Sequence, residues 1–154
     1  MKTTHNVIEW LNVSVAGWMA NVADRACRIS LGLIFIWFGA LKPLGISPAA
    51  DLVAATVPFI PPHIFVPVLG GWEVLIGVFF LFRKTTWWAI LLMALQMPGT
   101  FLPLVVLPDQ CFTAFPYGLT LAGQYIVKNL ALIAAAIVVG GAMQRRTSGT
   151  ERVA

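Results

Sequence analysis

Charge is the first thing this chain is short of. Only 10% of its 154 residues are Asp, Glu, Lys or Arg, while 59% are hydrophobic; a soluble domain carries about 25% charged residues. Too few polar side chains are present to cover a water-facing surface, and the mean hydropathy of +0.86 makes the bilayer the expected solvent. Strand-like alternation is lacking too. The apolar runs are continuous, which excludes an outer-membrane barrel in favour of helices. Histidine is scarce: His63 has neither a second histidine nor a carboxylate beside it, and His5 belongs to the other side of the membrane, so no metal site is expected. There is no glycine-rich phosphate loop, no GxSxG and no HExxH. The Gly70-Gly71 pair follows no strand and reads as helix packing.

Cysteine is limited to Cys27 and Cys111, without a CxxC, which argues against a thiol–disulfide enzyme acting alone. Three spans between them put the two thiols on opposite sides of the membrane, about 30 Å apart, beyond disulfide reach. Cys111, expected outside, leaves an intermolecular disulfide and hence a homo-oligomer open. A small buried or interfacial residue fits the same position.

What the chain does have is apolar length. A spanning helix needs about 20 mainly apolar residues, and four such runs occur near 29–44, 64–82, 85–107 and 119–143. The expected fold is all-α: an integral membrane four-helix bundle over residues 25–144, preceded by an N-terminal segment 1–24 and followed by a polar tail 145–154 expected to be disordered. In the first segment Val7, Leu11, Val15, Trp18 and Val22 recur at helical spacing. This fits an amphipathic helix in the interface anchored by Trp10 and Trp18, or a short cap on the bundle. Lys42-Pro43 ends the first run. Within the long connection that follows, DLVAATVP is expected to form a short surface helix over the outer mouth. Pro98 and Pro103 are expected to kink the third span.

The net charge of +4 does not point to nucleic acid, because the basic residues cluster at the ends of apolar runs and no basic-aromatic motif accompanies them. Lys2, Arg25, Arg28, Arg83, Lys84, Arg145, Arg146 and Arg152 fall on one side of a four-span chain. The positive-inside rule makes that side the cytoplasm, with both termini there.

Two small-residue stripes carry ionisable groups. Gly32 and Gly39 lie one heptad apart with Lys42 three residues on, and Gly70, Glu73 and Gly77 share a face of the second run. Helices with such stripes approach closely in lipid, which predicts a Lys42–Glu73 pairing. Counted from the cytoplasmic markers, Lys42 lies about 21 Å deep, Glu73 about 15 Å, Gln96 about 18 Å and Lys128 about 25 Å, with Gln124 one turn further out. An unpaired charge at such depth costs about 2.5 kcal/mol or more. A shared polar cavity opening outward is therefore expected, with Asn129 beside Lys128. Bland roles stand beside this one: snorkelling for Lys42, a structural salt bridge for Glu73, and interhelical hydrogen bonds for Gln96 and Gln124.

The runs GLIFIWFGALKP, GGWEVLIGVFFLF and QYIVKNLALIAAA, in this order, resemble the DoxX family of small four-span bacterial inner-membrane proteins, over about residues 28–141. The section from MPGTFLPLVVLPDQ to the fourth span is also similar to the YkgB/RclC type. The family pattern marks the positions of Lys42, Glu73, Lys128 and Asn129. The resemblance implies an inner-membrane location and a neighbourhood of quinone-linked and oxidative-stress assemblies. Two functions follow as expectations. One is a quinone-interacting subunit in which Lys42 or Lys128 polarises a carbonyl, Glu73 relays a proton and Trp37 and Trp72 pack on the ring; with no intrinsic redox centre, it needs a redox partner protein. The other is a non-catalytic scaffold or small-solute permeation protein whose charges are structural.

Overall fold

A computed structural model describes the backbone of residues 2–151 and the side chains of residues 13, 15–19 and 22–143. The chain opens with α1 (Lys2–Leu41), followed by α2 (Ala50–Thr56), α3 (Pro62–Leu81), α4 (Thr86–Phe101), α5 (Pro103–Val106), α6 (Pro108–Cys111), strands β1 (Phe112–Ala114) and β2 (Gly118–Leu119), and α7 (Leu121–Glu151). Most of the described residues are helical. Among the described residues, three stretches are long and apolar enough to cross a membrane: Pro62–Leu81, Thr86–Val106 and Leu121–Met143, with mean hydropathies of 2.1, 1.9 and 2.0.

The N-terminal segment is not the separate helix expected over 1–24. It is continuous with the first apolar run in the 40-residue α1. No proline falls between Lys2 and Leu41, so nothing interrupts the i→i−4 ladder, and a polar Asp24-Arg25 step leaves the backbone bonds intact. The expected anchor Trp18 is 66% exposed, while Trp10 lies outside the described side chains. The tail corrects likewise: α7 runs on through Arg145 and Arg146 to Glu151. The stretch from Arg145 to Glu151 contains no proline, and its one glycine, Gly149, does not stop the helix.

Elsewhere the punctuation acts as expected. After Leu41 the Gly45 N–H bonds to the Lys42 carbonyl at 3.1 Å and the Ile46 N–H to Leu41 at 3.1 Å. This is the paired closure of a Schellman turn, with Gly45 at φ +73°. The short helix in the connection is present as α2, which packs on α3 and α5. The third run divides at Leu102 into α4 and α5, with Pro98 inside α4 and Pro103 opening α5. The small antiparallel hairpin pairing Phe112 with Leu119 and Ala114 with Gly118 is a departure from the all-α expectation.

Helices α1, α3, α4 and α7 all feed one core: Leu31 and Phe35, Ile76 and Phe80, Ala89, Met93 and Met97, and Ala136 and Val139. The Phe35 and Phe80 rings stack at 6.3 Å. Apolar side chains also cover the outside, with Leu33, Trp37, Val68, Leu95 and Ile137 exposed, a surface suited to lipid rather than water.

Candidate functional site

The α1–α3 interface sets the geometry. The helices run antiparallel with the glycine stripes opposed: a Cβ added at Gly39 would lie 2.8 Å from the Gly70 carbonyl oxygen, and one at Gly77 2.6 Å from that of Gly32. Backbone meets backbone, as small-residue stripes allow. Glu73 and Lys42, three residues beyond Gly70 and Gly39, are thereby brought together.

Lys42 Nζ donates to Glu73 Oε2, and the two side chains are only 6% and 12% exposed. From α4, Gln96 Nε2 donates to the other carboxylate oxygen, Oε1, at 2.8 Å. Each carboxylate oxygen thus has a donor, and a charge-assisted hydrogen bond contributes about 1.5–3 kcal/mol. The expected pairing stands, and Lys42 is ion-paired rather than free to snorkel. One valence is left open: Gln96 Oε1 is buried and accepts from no group among the described residues.

The wider constellation does not assemble. Lys128 is exposed, and its Nζ lies over the Tyr125 ring, 5.0 Å from the centroid. Gln124 donates to the Leu119 carbonyl at 3.4 Å. Asn129 turns back on its own helix, donating to the carbonyls of Tyr125 (3.2 Å) and Ile126 (3.0 Å). Trp37 and Trp72 are 71% and 37% exposed and do not enclose the cluster. The site is Lys42, Glu73 and Gln96; the α7 residues form a second polar patch on the outside. Among the described residues no three His, Cys, Asp or Glu side chains converge as a metal site.

Arg28 is the residue that sequence reasoning missed. Read as a topology marker, it donates from Nη1 to the carbonyls of Phe80 (3.4 Å) and Leu81 (3.3 Å). It therefore caps the C-terminus of α3, where a cation meets unpaired carbonyls and the negative end of the helix dipole. The signal was present: Arg28, Phe35 and Lys42 follow one another at heptad spacing. One turn before it, Asp24 is also buried, with Oδ1 lacking a donor among the described residues.

Cys111 is fully buried rather than exposed. Burial pushes its thiol pKa up, so the less nucleophilic protonated form persists at neutral pH. Native protein treated with iodoacetamide at neutral pH is expected to be spared at Cys111 and labelled there once unfolded; equal labelling of both would contradict its burial. The folded thiol keeps its proton to higher pH than the unfolded one. Its contribution to stability is thus complete at neutral pH and is lost as pH climbs past the ordinary thiol range.

No protein-family model, curated protein or solved structure matches the chain.

Proposed function

We propose that this is a multi-pass protein of the bacterial inner (plasma) membrane, DoxX-like, with the apolar half of α1 as a fourth span and both termini cytoplasmic. On this reading it is a quinone-interacting membrane subunit of a redox or oxidative-stress assembly. The charge distribution supports the topology: Arg28 reaches the α3 C-terminus next to Arg83 and Lys84, so these cations share one end of the molecule, the cytoplasmic one by the positive-inside rule. The ligand reading is carried by one observation, the buried Gln96 Oε1 without a donor beside an otherwise closed network. Buried acceptors call for partners, and a hydroxyl of a hydroquinone supplies one. Oxidation of such a hydroquinone releases two protons; Glu73, hydrogen-bonded to Gln96, takes them up one after the other and passes each on to water, and Lys42 stabilises the carboxylate between transfers. On this reading the two electrons pass to or from a redox partner protein.

A scaffold or small-solute permeation role is the second reading. It is favoured by the mutual neutralisation of Lys42 and Glu73 at the closest approach of two helices. Mass spectrometry of organic extracts from protein purified in mild detergent separates the two. Stoichiometric quinone in the wild type, lost in Glu73→Gln and Gln96→Leu, supports the redox reading. A folded wild type free of quinone overturns it and leaves the charge cluster as architecture.

A further inference from the structure

The second polar patch, on α7, has a use of its own. Of the three apolar spans among the described residues, Leu121–Met143 of α7 is the least covered, 17% buried against 28% for Pro62–Leu81 and 22% for Thr86–Val106. On its open face lie Gln124, Tyr125 and Lys128, all exposed. Lys128 sits about 22 Å along the helix from Met143, in the outer part of a hydrocarbon layer about 30 Å thick. Among the described residues no carboxylate pairs with it. Its Nζ lies over Tyr125, a residue nearer the outer end of the span, so the side chain is directed toward the headgroup layer as a snorkelling lysine is. Tyr125 and Gln124 place a phenol and an amide, both hydrogen-bond donors, on the same face. A cation with two neutral donors and no acid suits an anionic group made only of acceptors.

A second copy is disfavoured as the occupant. Two chains sharing one membrane orientation and meeting through this face about a twofold axis would set Lys128 against Lys128 at equal depth. We propose that Lys128, Gln124 and Tyr125 hold the phosphodiester of an anionic outer-leaflet lipid. The proposal rests on α7 spanning the membrane with its N-terminal end outward, as proposed above, and is independent of any ligand at Glu73.

The test is native mass spectrometry of the full chain released from nanodiscs of phosphatidylcholine containing one-fifth phosphatidylglycerol. Wild type, Lys128→Gln and, as a control at the opposite end, Lys84→Gln are compared. The expected result is one phosphatidylglycerol retained by wild type and by Lys84→Gln, with retention at least fivefold lower in Lys128→Gln. Equal retention in all three overturns the proposal, as does loss only in Lys84→Gln. Displacement by millimolar inorganic phosphate would assign the site to free phosphate instead of lipid. Failure of the wild type to insert would overturn the membrane-spanning reading along with it. A protein that inserts and binds no lipid overturns this inference alone.

Discussion

Glu73→Ala is expected to destabilise the protein by about 3–5 kcal/mol, because it leaves the Lys42 ammonium buried without its counter-charge. The Lys42 side chain is 6% exposed, too little for water to replace the carboxylate. The second donor to Glu73, Gln96 Nε2 at 2.8 Å, loses its acceptor in the same variant. The double replacement Lys42→Met/Glu73→Leu is expected to recover most of that loss, since it removes both charges and keeps the volume; a buried pair exchanged for apolar residues is often neutral or stabilising. Thermal unfolding in detergent, followed by circular dichroism, reads both. A double variant as unstable as Glu73→Ala would mean that the charges themselves hold the helices together. Full recovery of stability would assign the pair to something other than stability, which is what a ligand site requires.

Two adjacent glycines give the second large effect, and they should respond with opposite signs. A Cβ at Gly70 would meet the Gly39 carbonyl oxygen at 2.6 Å and the Pro43 Cδ at 2.7 Å, whereas one at Gly71 meets nothing within 4 Å. Gly70→Ala is therefore expected to lose about 1–3 kcal/mol by overpacking, net of any helix-propensity gain. Gly71→Ala should gain up to about 1 kcal/mol from propensity alone. Melting the two variants side by side checks this, and a Gly70→Ala as stable as the wild type would contradict the close approach of α1 and α3.

The α1–α3 half of the site was legible because glycine and charge are rare enough in an apolar chain to stand out. Gly32, Gly39, Gly70 and Gly77 fell on faces that the helical period alone could align, and Lys42 and Glu73 marked where those faces ended. The α7 half was not legible. Its run from Ala131 to Val139 is apolar on every side, so no moment told which face turns inward, and depth alone was a poor guide to proximity. Lys128 shares the depth of the cluster but faces away from it, and Asn129, one residue on, satisfies its amide within α7. The hairpin was hidden for another reason: two pairs of residues are too short for alternation to register. The unbroken α1 was hidden because a change from polar to apolar composition resembles a boundary, although the backbone responds to proline and glycine.

Arg28 and Lys42 bind α3 at two levels, one at its terminal carbonyls and the other at Glu73. They are 14 residues apart on α1, about 21 Å of helix. Sliding one helix past the other by a single turn would break both attachments at once and drive glycines out of register with their opposing carbonyls. The two helices are thus pinned at two levels, like a drawer held by two bolts, against sliding past one another. Around Gln96 it is α4 whose own ladder is interrupted, at Pro98, two residues from that amide.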